Sequence, residues 1–465
     1  MSIHKKRHFE GGFIRRIIIA AAFSVSVYLL VSLFFINHCF FNTVINGVNV
    51  SLKAHMDVDE IIRESVKDYK LQLVERNDEI EEITGQDIDL QYNEKNSISK
   101  VYRMQKSYKW ISSLLKKQKY HVKNLFTYDT EKLENEIKRL NCLNKTIIEP
   151  RNVSFKYSNG AYEVIEEVYG NKIIRDRLNE LIKICISKGI SKLNLSENFC
   201  YENPQYTIRS DKTLETRKLL DKYVSTKISY IFGDQKEVLD GDIINKWLSV
   251  DENLDVVIDE KAVREYIRGL GKKYDTVGAV RKFKTSVGKI VEVKGGYYGW
   301  KINRDAEAKA LFNYIKYGTV LEKEPIYIQK ALTRDKDDIG STYVEISITR
   351  QHLWFYKNGR LLAHGAVVTG NPNRGYSTET GVYMLNYKEN GSTLRGPDYE
   401  VEVNYWMPFN GNIGIHDASW RYSFGGDIYK RNGTHGCVNV SLFLAKRIYD
   451  NIEDGTPVIC YEEQE

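Results

Sequence analysis

Two side chains late in the 465-residue chain have the types and spacing for nucleophilic chemistry. Cys437 lies in THGCVNVS (434–441), and His416 lies 21 residues earlier in IGIHDASW (413–420). A thiol attacks an acyl carbon as its thiolate, so near neutral pH it needs a base beside it. An imidazole supplies that base and can later hand the proton to a leaving amine. The ring needs a partner on its second nitrogen to hold one tautomer. Nearest in sequence is Asp417, through either its carbonyl or its carboxylate. Gly436 allows close backbone approach to a substrate carbonyl, so the N–H groups of Gly436 and Cys437 are expected to hold the oxyanion. His435 is the rival base, because residues i and i−2 share a face in an extended segment. His416 comes from a separate strand, can approach across a groove, and is the expected base. A zinc site from His416, His435 and Cys437 is the other chemical reading. It lacks a fourth ligand, so no metal and no organic cofactor are expected.

The other cysteines carry less. Cys39, Cys142, Cys185, Cys200 and Cys460 show no CxxC spacing, and six cysteines in 465 residues make no disulfide scaffold. Cys460 lies in the apolar GTPVICY and reads as core. His352 and His364 flank a hairpin and read as packing or surface.

The elements that must hold His416 and Cys437 lie in residues 341–465. YVEISITRQHLWFYKNGRLL (343–362) alternates apolar and polar residues around a KNG turn, a hairpin signal. AHGAVVTG, GVYMLNY, YEVEVNYWMPF and GTPVICY add short strands. SLFLAKRIYDNI (441–452), just after the cysteine, is the one helical run. The region reads as mainly β, and YIQKALTRDKDDIG (327–340) reads as the linker before it.

Upstream, two stretches repeat. TEKLENEIKRL (130–140) resembles DEKAVREYIRGL (259–270), and GAYEVIEEVYGNKIIRDRLNELI (160–182) resembles GKIVEVKGGYYGWKINRDAEAKALFNYI (288–315). Lys132 to Lys261 and Gly170 to Gly299 are both offset by 129. Gly85 in ITGQDI and Gly241 in VLDGDI are offset by 156. The difference of 27 predicts an insertion in the first copy around 92–127. Two tandem α+β modules follow, over 44–200 and 215–318.

Residues 17–36 are an uncharged apolar run of 20, long enough to cross a bilayer core as a helix. Lys5, Lys6, Arg7, Arg15 and Arg16 precede it, so residues 1–16 are expected to be cytoplasmic and the rest extracytoplasmic. A cleaved signal peptide is the alternative, but the run is long for one and NHCFFNTV offers no small-x-small site. The net charge of +6, from 68 basic against 62 acidic residues, is too small and scattered for nucleic acid, and the usual motifs are missing.

The last 125 or so residues resemble the YkuD-type L,D-transpeptidase catalytic domain. THGCVN matches that family's [ST]-H-G-C-x-[NR] motif, IHDASW its upstream histidine, and YSTETGVYML (376–385) its strand entry. The resemblance implies a β-sandwich-like fold, Cys437 as nucleophile and His416 as acid and base. It implies a pocket shaped by Thr434, His435 and Gly436. It sets Trp420 along the substrate path and Asn439 where the family has Asn or Arg. His416-Asp417 departs from the usual His-Gly or His-Ser step, which leaves the third triad member open. KYDTVGAVRKFKTSVGKIVEVKGGYYGWKINRDAEAKAL (273–311) resembles the peptidoglycan-binding domains found upstream of such enzymes. The implied activity is 3→3 cross-linking of peptidoglycan stem peptides with release of D-Ala. An L,D-carboxypeptidase with the same cysteine and an inactive wall-binding protein are the alternatives.

Overall fold

The computed structural model describes residues 3–95, 98–335, 337–396 and 399–463, with side chains from residue 13 on. The expected cytoplasmic tail therefore begins outside the described residues. A helix runs over Ile3–Phe34, and an 18-residue stretch within Phe13–Phe34 has a mean hydropathy of 2.5. Ile18, Phe23, Leu30 and Leu33 on it are all more than half exposed, as suits a helix surrounded by lipid. The helix continues through Arg15 and Arg16 into the apolar run that begins at Ile17, and it ends at Phe34, two residues before the expected end. Phe35 has left the helix and is buried against Phe40, Phe41 and Trp110.

The chain forms two compact units. One holds residues up to 154 together with 165–210, and the other holds 155–164 together with residues from 211 on. Each contains one copy of the repeat, with the same topology. In the first, Lys70–Val74 pairs antiparallel with Ile80–Thr84 and parallel with Lys192–Asn194. In the second, Lys227–Phe232 pairs antiparallel with Gln235–Leu239 and parallel with Val320–Lys323. The crossover helices Arg175–Lys188 and Arg304–Tyr317 are both 14 residues long. They end on left-handed glycines, Gly189 (φ 64°) and Gly318 (φ 65°), which keeps the 129 offset. The earlier helix pair is offset by 130 instead. Asp129 caps Thr130–Arg139 and Asp259 caps Glu260–Tyr274, and the buried Leu133 and Ile137 answer to Val263 and Ile267. Burial and capping set that register, which the lysine match missed by one. A Cβ on Gly85 would meet the Val66 carbonyl at 2.9 Å, and one on Gly241 the Val224 carbonyl at 2.6 Å. Both glycines thus serve the same close approach. The insertion is bounded by paired strands, Gln91–Tyr92 against Phe126–Thr127. The second copy has Leu248–Val250 against Val256–Ile258 at the equivalent place.

One hairpin departs from the expected 44–200 module. Strands Ser154–Ser158 and Ala161–Ile165 lie in the first copy's sequence but pack in the second unit. Tyr162, with Phe155 and Tyr157, joins the core built on Leu220, Tyr223 and Ile228. The Tyr162 N–H donates to Asp221 at 2.8 Å. The second copy's hairpin, Arg281–Lys284 with Ile290–Val293, likewise packs forward. Phe283 and Val293 share a core with Val382, Ile459 and Tyr461. Tyr298 and Trp300 are core residues there. The 327–340 stretch is packed as well: Tyr327–Gln329 is a strand, and buried Asp338 pairs with buried Arg281 at 2.8 Å.

Two sheets enclose the last core. The strands are β1 (Tyr343–Ser347), β2 (His352–Lys357), β3 (Arg360–Ala366), β4 (Gly381–Met384), β5 (Glu389–Gly396), β6 (Tyr399–Asn410), β7 (Ile413–Asp417), β8 (Val438–Val440) and β9 (Pro457–Tyr461). One sheet runs β3-β2-β1-β9-β4 and the other β5-β6-β7-β8. The turn between β2 and β3 has Asn358 at φ 51° and Gly359 at φ 75°, as a two-residue hairpin requires. Val344, Ile346, Val458 and Cys460 from one sheet meet Met407, Ile415, Val438 and Val440 from the other. The helix Leu442–Tyr449 adds Leu444 and Ile448. Cys460 is fully buried, as expected of a core thiol. His352 and His364 face each other across β2 and β3, nitrogen to nitrogen at 3.1 Å.

Candidate active site

Strand β7 runs antiparallel to β6 and parallel to β8. That register puts His416 opposite Trp406 on one side and Asn439 on the other. Cys437 precedes β8 by one residue and Asn439 by two, so its side chain falls on the same face as that of Asn439. Cys437, His416, Asn439, Thr434, His435 and Trp420 all line one cavity of about 170 Å³. The sequence-derived pair therefore opens onto one cavity.

His416 is buried between two indoles, with ring centroids 5.8 Å from Trp406 and 6.1 Å from Trp420. Its Nδ1 lies 2.9 Å from the carbonyl oxygen of Asp417. A carbonyl only accepts, so Nδ1 carries the proton and Nε2 keeps its lone pair. Burial holds the His416 pKa below its ordinary value, and the charge of Arg421 pushes the same way.

The Asp417 carboxylate is engaged elsewhere. It is fully buried and accepts from the Asn404 and Tyr405 backbone N–H groups and the Asn404 side chain, each at 2.8 Å. Of the two options left open by the sequence, the carbonyl is the one at the imidazole, and the carboxylate clamps β6 to β7.

The loop before Cys437 is shaped by Thr434. Its hydroxyl donates to the Cys437 carbonyl at 2.5 Å and accepts from the Gly436 N–H at 3.0 Å. Gly436 sits at φ 118°, where a Cβ would meet Ile413 Cδ1 at 2.8 Å. The expected pairing of Gly436 and Cys437 N–H groups over an oxyanion is thus altered. The Gly436 N–H is occupied, and the Cys437 N–H has no partner among the described residues. The Cys437 thiol points at the Asn412 carbonyl, 3.6 Å away. Burial pushes its pKa up to about 11, against a smaller opposing effect of the Gly414 backbone N–H. Resting thiol and imidazole are therefore both neutral.

His435 is exposed, its ring between Tyr376 (centroids 4.4 Å) and Tyr399 (4.9 Å). Trp420 is about half exposed at the cavity wall, and Asn439 is buried with its Oδ1 unpartnered among the described residues. Sequence reasoning missed Trp406, Tyr399 and Arg421. Trp406 was within reach, because an antiparallel neighbour of β7 has to place some residue opposite His416. Tyr399 and Arg421 carried no sequence signal.

Comparison with known families covers both the last domain and the modules before it. Residues 341–460 match the L,D-transpeptidase catalytic domain, YkuD, and residues 81–193 and 207–320 each match a "Putative peptidoglycan binding domain". The matched modules start and end apart from the expected 44–200 and 215–318. The fold is that of an L,D-transpeptidase catalytic domain carried behind two peptidoglycan-binding domains. A cysteine-to-serine form of the Enterococcus faecium L,D-transpeptidase is 33% identical over 54% of this chain and 100% of its own (TM-score 0.45). A structure described as the Ldtfm-avibactam carbamoyl enzyme gives 33%, 54% and 100% (TM-score 0.46). The E. faecium catalytic domain alone is 37% identical over 26% of this chain and 96% of its own (TM-score 0.24). Among curated proteins none matches. The chain belongs to the YkuD-type L,D-transpeptidase family.

Proposed function

We propose that this protein is a membrane-anchored enzyme that forms 3→3 cross-links in peptidoglycan through a cysteine acyl-enzyme. The observation that carries the reading is the 2.9 Å hydrogen bond from His416 Nδ1 to the Asp417 carbonyl, in a cavity shared with Cys437. It leaves Nε2 as a base in the one tautomer that can accept a thiol proton.

The donor is a stem tetrapeptide. Cys437 Sγ attacks the carbonyl of the third residue as its proton passes to His416 Nε2. The oxyanion is held by the Cys437 N–H. The tetrahedral adduct collapses, the peptide nitrogen takes the proton from His416, and D-Ala leaves as the free amine. The third residue remains as a thioester on Cys437. A side-chain amine of a second stem then attacks that carbonyl and gives its proton to His416. Collapse expels the thiolate, which recovers the proton, and the new amide is the cross-link. The neutral resting pair suits this route, since proton transfer and attack occur together and no buried ion pair is needed beforehand.

The apolar helix Phe13–Phe34 would anchor the chain, with its preceding basic residues cytoplasmic and both modules and the catalytic domain outside. The modules would hold the enzyme along the wall.

The test is mass spectrometry of the detergent-solubilised full chain with a disaccharide-tetrapeptide. A dimer lighter by one D-Ala supports the proposal. A tripeptide monomer would make the enzyme a carboxypeptidase, and unchanged substrate a wall-binding protein. Cys437→Ala should give no product and take up no carbapenem, whereas Cys460→Ala should still form product and still take up carbapenem.

A further inference from the structure

One cation in the cavity forms no ion pair among the described residues. Arg421 follows Trp420 and lines the same cavity as His416 and Cys437. Its Nη1 donates to the Asn432 carbonyl at 2.8 Å. Its Nε is buried and has no partner, and no carboxylate among the described residues forms an ion pair with it. Burial lowers the guanidinium's pKa, the cost of desolvating a charge that is not neutralised. An arginine stays protonated regardless, so the cavity carries a standing positive charge. That charge is felt at the imidazole, because it lowers the His416 pKa.

The proposed donor has an anion in the matching place. For His416 to protonate the leaving amine, the terminal D-Ala nitrogen must lie beside Nε2. The D-Ala carboxylate is two bonds beyond that nitrogen, within about 3 Å at ordinary bond lengths. It must therefore sit in the immediate surroundings of His416, where Arg421 stands. A guanidinium meets a carboxylate through a planar fork of donors, and such charge-assisted bonds are the strong ones. We propose that Arg421 binds the terminal carboxylate of the donor stem and so selects stems whose fourth residue ends the chain. This rests on the cysteine–histidine reading above. Arg421 would be a specificity residue that touches substrate, and departure of D-Ala would carry the anion away with it.

The experiment uses the full chain in detergent and three donors: the disaccharide-tetrapeptide acid, its C-terminal D-alaninamide, and a tetrapeptide amidated only on the third residue's side-chain carboxyl. Thioester formation on Cys437 is followed by intact-mass spectrometry at several donor concentrations, giving KM and kcat. Wild type should acylate from the acid about 10- to 100-fold more efficiently than from the C-terminal amide. Side-chain amidation should change little. Arg421→Met should lose that preference, acylating from acid and amide within about threefold of one another. Arg421→Lys should retain part of it, because the charge stays and the fork does not. Equal use of acid and terminal amide by wild type overturns the proposal and needs no variant to show it. So does a preference that survives in Arg421→Met, or one that follows side-chain rather than terminal amidation. Failure of the underlying reading looks different: no donor of any kind would form a thioester.

Discussion

Replacing Asp417 by Ala separates the two parts that this residue could play. The substitution keeps the carbonyl at His416 Nδ1 and removes the carboxylate. Three donors lose their acceptor: the Asn404 and Tyr405 backbone N–H groups and the Asn404 side chain. The exposed Asn404 side chain can turn to water. The two backbone donors cannot, and an orphaned donor costs about 1–3 kcal/mol. They are only partly buried, so about 2–4 kcal/mol of local stability is at stake. Opening of β6 against β7 would become about 30- to 10³-fold more frequent. Hydrogen exchange read by mass spectrometry on peptides covering 399–410 should accelerate by that order. Carbapenem acylation per intact molecule should stay within about tenfold of wild type, because tautomer and base are untouched. Asp417→Asn should fall between, since its amide oxygen can still accept from the backbone while its NH₂ opposes that of Asn404. A fall of 10²-fold or more in acylation with unchanged exchange would refute the reasoning. The carboxylate would then be part of the chemistry.

Other outcomes follow from the same site. His416→Ala should slow β-lactam acylation by about 10²–10⁴-fold, and His435→Ala by much less, in stopped-flow measurements over pH. The wild-type rate should fall only below pH 6.5, because the His416 pKa is lowered and the base form persists to lower pH. Rescue of His416→Ala should rise toward about pH 11, the raised pKa of this partly buried thiol, rather than near 8.5 as for a free one; rescue in His435→Ala alone would reverse the roles. Asp338→Ala leaves the buried Arg281 unpaired, a loss of about 3–5 kcal/mol. Proteolysis of the hairpin Arg281–Val293 should then outpace loss of carbapenem binding; resistance equal to wild type would argue against it. Activity should survive strong chelation, and a loss restored by zinc would favour the His416, His435 and Cys437 metal reading.

The hairpin of β2 and β3 and the strand β6 were legible because alternation and turn signals depend on neighbouring residues only, whereas β5 (Glu389–Gly396), largely polar along its length, carried no such signal and was missed. The pairing of His416 with Cys437 was legible for a different reason: residue types suited to one reaction stand in one motif. Where the sequence misled, distance was the cause. The Gly436 N–H was expected to be free, but Thr434 Oγ1 takes it, a hydrogen bond that depends on how the loop folds. Arg421 reads as one more surface arginine until the packing of the segment after β7 turns it inward. The hairpin 154–165 looks like part of its own module, because sequence similarity follows descent and burial follows contact. The helix register of 130 instead of 129 was visible only through the caps and the buried stripe.

Strand β9 holds the middle of its sheet, with β1 on one side and β4 on the other. In the chain it comes after every other strand, and after His416 and Cys437. Val458 and Cys460 on it supply core for the sheet that carries both of those residues. A chain synthesised from its N-terminus thus delivers Cys437 before the strand that closes the fold around it. Until then the thiol lacks its fixed histidine. By giving the sheet's inner position to a late strand, the fold leaves Cys437 and His416 without their finished setting until β9 has joined the sheet.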